Sequence, residues 1–97
     1  MPNQKEWQGL LKLMCSAQNT IQLDALMRLF LTPKEREIIK KRYQIIAMLL
    51  KGEHPQRQIA QILGVSISKI TAGSKELQQS PDVLLRHLKK HFTQSQS

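Results

Sequence analysis

From Ala60 to Ile70 the chain reads AQILGVSISKI, which places a small residue, a glycine and a bulky apolar residue at relative positions 1, 5 and 11. Two short helices that cross need a small residue at the crossing, a turn that tolerates positive φ, and a buried anchor on the second helix. Ala60, Gly64 and Ile70 meet those needs in that order, and Ile59, Leu63 and Val65 fill the space between them. The spacing predicts a helix-turn-helix over about residues 55–76. A generic αα-hairpin uses similar glycine turns and is the alternative.

The rest of the chain punctuates itself as helices. Trp7, Leu10, Leu11, Met14 and Ala17 recur at helical intervals, and a second short helix carries Leu23, Leu26, Met27 and Phe30. TPKE at Thr32 to Glu35 offers a capping hydroxyl, a proline at the first helical position and a glutamate at the third. That helix continues through Ile38, Ile39, Ile46, Leu49 and Leu50 to Gly52, which ends it in a left-handed conformation. Pro55 opens the next helix, whose buried face is Ile59, Ile62 and Leu63. Ser66 caps the following one, in which Gly73 marks a point of loosening, and Ser80-Pro81-Asp82 starts the last. Strand-like alternation, internal repeats and low-complexity blocks are absent, so the fold class is all-α in a single helical domain over 1–97, with a polar tail fraying over 93–97.

A chain of 97 residues with a modest core favours pairing with a second copy. Fifteen Lys and Arg against seven Asp and Glu give a net charge of +8 and a pI near 10.1, and basic residues occur along the whole chain rather than in a tail. That balance suits a polyanion, double-stranded DNA above all, with an anionic membrane surface as the competitor. Cys15 alone excludes an internal disulfide framework, and the longest apolar run, Ile45 to Leu50, is far too short to span a bilayer. A cytoplasmic location is expected.

If the motif reads DNA, the exposed start of its second helix enters the major groove. Lys69 can donate to guanine O6 or N7, Ser68 and Thr71 can bond bases or phosphates, and Ile67 can meet a thymine methyl. Gln56 and Arg57, at the start of the first helix, are placed to hold the backbone.

The segment LFLTPKERE (Leu29 to Glu37), then Arg42, then LLKGEHPQRQIAQILGVSISKITAGS (Leu49 to Ser74) resembles the bacterial tryptophan repressor family. The likeness runs from about Trp7 to Leu88 with the same order and spacing. It implies an intertwined homodimer of six helices per chain, two reading heads set on an operator palindrome, and L-tryptophan as corepressor. In the family pattern the indole lies between two arginines, one of which also holds the ligand carboxylate. Arg42 corresponds to the first. The second belongs to a motif written ITRGS, which is ITAGS here, so its position is Ala72, beside Gly73. A serine that meets the ligand ammonium corresponds to Glu76. Leu29, Leu31 and Thr32 match the loop that lends backbone carbonyls from the partner chain.

The two departures bear on the ligand. A carboxylate buried without a cation loses a charge-assisted pair and keeps its desolvation cost. Glu76 can take the ammonium or reach Arg42 in an internal ion pair, and Lys75 is a substitute cation. Another amine ligand, or none, therefore stands beside tryptophan.

An enzyme is not expected. No glycine loop cradles a phosphate, and Cys15, on an apolar helix with no histidine nearby in sequence, reads as a buried structural thiol. His87 and His91 share a helical face but lack a third ligand, so no metal site is expected. The remaining rival is a basic helical module for protein or membrane surfaces, for which Leu84 to Phe92 is the nearest segment.

Overall fold

The computed structural model describes residues 4–94, and among these the chain is all-helical: α1 (Gln4–Cys15), α2 (Thr20–Phe30), α3 (Pro33–Lys51), α4 (Gln56–Leu63), α5 (Ile67–Gln78) and α6 (Asp82–Gln94). The chain divides into two compact units, Met1–Glu37 and Ile38–Ser97, with α3 beginning in the first and continuing in the second.

In the first unit local hydrogen bonds define the starts of α2 and α3. The Asn19 side chain accepts from the Gln22 N–H at 2.8 Å while the Gln22 side chain accepts from the Gln18 N–H at 2.7 Å, a reciprocal cap on α2. The cap expected at α3 is present: the Thr32 N–H donates to Glu35 Oε1 at 2.9 Å and the Glu35 N–H donates to Thr32 Oγ1 at 3.2 Å. Such a cap contributes about 1 kcal/mol. No described residue of this unit is buried. Leu10, Met14, Leu23, Leu26 and Met27 are half-covered, whereas Trp7, Leu11, Ile21, Leu29 and Phe30 stand exposed. Cys15, expected to be buried, is exposed as well, because α1 has no interior to bury it in.

The second unit has a core. Ile45 of α3, Ile59 and Ala60 of α4 and Ile70 of α5 are buried together, with Met48, Leu49, Leu63 and Val65 packed around them. Gly64 ends α4 at φ +66°, and the Val65 N–H reaches back to the Ala60 carbonyl at 3.0 Å, so the chain reverses within a few residues. Gly73 does not loosen α5, which runs unbroken through it. A Cβ there would lie 3.1 Å from Ile45 Cγ2 and 3.5 Å from Leu49 Cδ1, so its missing side chain is what lets α5 close on α3. Phe92 of α6 is buried against Tyr43, ring centroids 5.1 Å apart, and the Tyr43 hydroxyl bonds His91 Nε2 at 3.0 Å.

Several local expectations fail for identifiable reasons. Ile62, assigned to the buried face of α4, is 54% exposed, because Ala60 takes the place against α5 and turns Ile62 outward. Ile38 and Ile39 are also exposed. Pro55 stands just before α4 rather than inside its first turn. The Ser66 hydroxyl makes no cap bond and instead lies 3.0 Å from Ser68 Oγ, and the Ser80 hydroxyl donates to the Glu76 carbonyl behind it. Thr93 is helical rather than frayed, its hydroxyl bonding the Lys89 carbonyl at 2.8 Å, and 95–97 lie outside the described residues.

The contrast between Ile70 and Ile62 is testable. Ile70→Ala should destabilise the protein by about 2–5 kcal/mol, whereas Ile62→Ala should change stability by about 0.5 kcal/mol or less, both read from urea unfolding.

Candidate nucleic-acid interface

The buried side of α5 determines what its other sides present. Helical residues advance about 100° each, so with Ile70 at the core Ser68 and Ala72 face away from it and Lys69 and Thr71 flank it. Ser68, Lys69, Thr71 and Ala72 are all exposed, and Ile67, the first residue of α5, is 47% exposed. Arg57 is exposed at the start of α4, and Gln56 beside it is half-buried. The Thr71 hydroxyl lies 3.2 Å from Gln56 Oε1, so the predicted contact residues of the two helices join at one edge of the pair. Lys41 of α3 donates to the Leu63 carbonyl at 2.8 Å, placing a cation at the negative end of the α4 dipole and tying α4 down from behind.

Charge is divided unevenly along the chain. The segment from Ile38 onward carries ten Lys and Arg against three Asp and Glu, a net +7 of the chain's +8. The unit that presents the α4–α5 pair is therefore the one that attracts a polyanion.

The predicted ligand residues fall into two groups. Leu29, Leu31 and Thr32 belong to the first unit: Leu29 is exposed, the Leu31 carbonyl accepts from Arg36 Nη1 at 2.9 Å, and Thr32 is engaged in the α3 cap. Arg42, Ala72, Gly73 and Glu76 belong to the second. Arg42 lies one turn before Ile45 on α3, and Ile45 is the residue that Gly73 touches. Ala72 and Glu76 lie one turn apart on α5, both exposed, and no ion pair joins Glu76 to Arg42 among the described residues. A cleft of about 340 Å³ lined by Leu50, Lys51, Glu53, Lys89, Phe92 and Thr93 contains none of the predicted residues.

Three features escaped the sequence reading. The bond between Gln56 and Thr71 spans fifteen positions and has no local signature. The Lys41 clamp has none either. His91, considered with His87 as a metal pair, is instead occupied with Tyr43 and Phe92. No group of three or more His, Cys, Asp or Glu suited to a metal ion occurs among the described residues, and no helix among them is long and apolar enough to cross a membrane.

Against known proteins, the model of the family described as Trp repressor protein matches residues 5–92. The chain belongs to the Trp repressor family. It is 44% identical over 81 residues to the Trp operon repressor homolog of Vibrio campbellii, covering 84% of this chain and 81% of that one. The Trp operon repressor homolog of Vibrio cholerae is 46% identical over 76 residues, 78% of this chain and 74% of its own. That of Chlamydia trachomatis serovar L2 is 44% identical over 94 residues, 95% of this chain and the whole of the relative. Family membership accords with the all-helical architecture and the glycine-turned α4–α5 pair.

Proposed function

We propose that the chain is a cytoplasmic transcriptional repressor that binds operator DNA as a homodimer, with L-tryptophan as corepressor. The observation that carries this reading is the α4–α5 pair. Its buried anchor Ile70 leaves Ile67, Ser68, Lys69 and Thr71 exposed on a unit of strong positive charge. In that role Lys69 and Ser68 read base edges in the major groove, Ile67 meets a thymine methyl, and Gln56, Arg57 and Thr71 serve the phosphate backbone.

The second copy supplies what the first unit lacks. Its helices carry apolar stripes but bury nothing, and Ile21 and Leu29 are 82% and 75% exposed. Faces of that kind are stable in water only when covered, and an identical chain covers them with matching stripes. Two-fold symmetry then presents two α5 helices to a palindromic site.

The ligand follows the family resemblance, with Arg42, Ala72, Gly73 and Glu76 of one chain and the loop of Leu29, Leu31 and Thr32 from the partner chain around it. Ala72 and Glu76 favour a second reading of the gate, in which another amine or no ligand controls DNA binding. A methyl group stands where the resemblance calls for a guanidinium, and a carboxylate stands where it calls for a hydroxyl.

Four outcomes test this reading. On a duplex selected from a random pool, Lys69→Ala should cost about 1–3 kcal/mol and relax preference at one base pair. Arg57→Ala should weaken all sequences alike and flatten the salt dependence. Equal binding by both variants and the parent would remove α4–α5 from the interface. The thermal midpoint should rise with protein concentration, as folding linked to pairing requires; a concentration-independent compact monomer in sedimentation would contradict the dimer. In calorimetry, Ala72→Arg with Glu76→Ser should tighten tryptophan binding by roughly ten- to a hundred-fold, the worth of one charge-assisted hydrogen bond. Tight binding by the parent with no gain in the double variant would mean that another group, such as Lys75, meets the carboxylate.

A further inference from the structure

Thr71 lies among the exposed residues of α5, yet its hydroxyl is already engaged within the protein. Its oxygen is 3.2 Å from Gln56 Oε1 and 3.1 Å from the Ile67 carbonyl one turn back. A hydroxyl has one proton, so it donates to one of these at a time. The choice matters for Gln56, the first residue of α4 and half-buried. When Thr71 donates to the Ile67 carbonyl, the Gln56 carboxamide is released. When it donates to Gln56 Oε1, the carboxamide is pinned by its oxygen and both amide N–H groups are left for another acceptor.

We propose that Thr71 is a positioning residue for DNA binding: its hydroxyl holds the Gln56 carboxamide so that the amide N–H groups point to a phosphate oxygen, and Thr71 itself reads no base. The proposal rests on the DNA-binding reading above and names the chemistry of one contact within it. Gln56 has long rotatable bonds, and fixing it before DNA arrives removes an ordering cost from the binding step. A carboxamide whose oxygen accepts a hydrogen bond becomes a stronger N–H donor, and a phosphate acting on those N–H groups strengthens the Thr71 bond in turn. DNA therefore reinforces the bond that already holds Gln56 in the free protein. A contact in which Thr71 donates to a base acceptor would require the hydroxyl to give up that bond.

Two measurements on the whole chain test the proposal, one of them without DNA. In the free protein, relaxation of the Gln56 side-chain amide should report order close to that of the backbone in the parent and in Thr71→Ser, and free averaging in Thr71→Val. In binding, Thr71→Val should weaken a selected duplex and an unrelated duplex alike, by roughly ten- to a hundredfold, the loss expected for a hydrogen bond serving a charged group. Thr71→Ser, which keeps the hydroxyl, should stay within about twofold of the parent by the same reasoning. Gln56→Ala should match Thr71→Val, and the double variant should bind no more weakly than Gln56→Ala alone, because the two residues act as one contact. A freely averaging Gln56 amide in the parent overturns the proposal. So does a Thr71→Val loss confined to one base pair, or losses that multiply in the double variant. An ordered amide in a parent that binds no duplex overturns the DNA-binding reading itself, and the positioning role with it.

Discussion

Ile70 has no exposed surface, and the burial of that one side chain determines what the rest of α5 offers to the outside. Full burial of an isoleucine contributes about 1.5–3 kcal/mol, enough to hold the rotation of a short helix that could not persist alone in water. Three small residues shape the packing around it. Ala60 is small where α4 meets α5, Gly64 adopts the left-handed turn between them, and Gly73 lets α5 approach Ile45 and Leu49. With the helix rotation set, Ser68, Lys69, Thr71 and Ala72 are outward by geometry. The surface proposed to meet DNA is thus a consequence of packing behind it.

The two units solve the problem of burial differently. The second buries Ile45, Ile59, Ala60 and Ile70 within itself and also carries nearly all the net charge. The first has capped starts at α2 and α3 and no buried residue among those described. Local capping gives these helices their boundaries, but it cannot compensate for exposed Ile21, Leu29 and Trp7. That division suits the proposed repressor, in which a second copy would cover the first unit and dimer symmetry would match the operator.

Much of this was legible in the sequence because the informative residues act locally. TPKE defines the start of α3 through bonds between residues three apart, and Gly52 and Gly64 mark helix ends through their own φ of +66°. The anchor spacing Ala60, Gly64, Ile70 gave the reversal between α4 and α5. Periodicity failed where tertiary packing decides between neighbours: Ala60 rather than Ile62 faces α5, and Gly73 serves a close approach rather than a break. The hydroxyls of Ser66 and Ser80 looked like caps but found other partners. Contacts across long separations, Tyr43 with His91 and Gln56 with Thr71, carry no local pattern. At the candidate site the residues proposed to face DNA follow from motif geometry, whereas Ala72 and Glu76 stand out only against the family motif.

The proposed role of the α4–α5 pair as the surface that meets DNA is tested most directly by amide chemical-shift mapping while a selected operator duplex is added. The largest perturbations should fall on Gln56, Arg57 and the stretch Ile67 to Thr71, with α1 and α2 little affected. Perturbations concentrated on the basic face of α6, at Arg86, Lys89 and Lys90, with α5 silent, would contradict it.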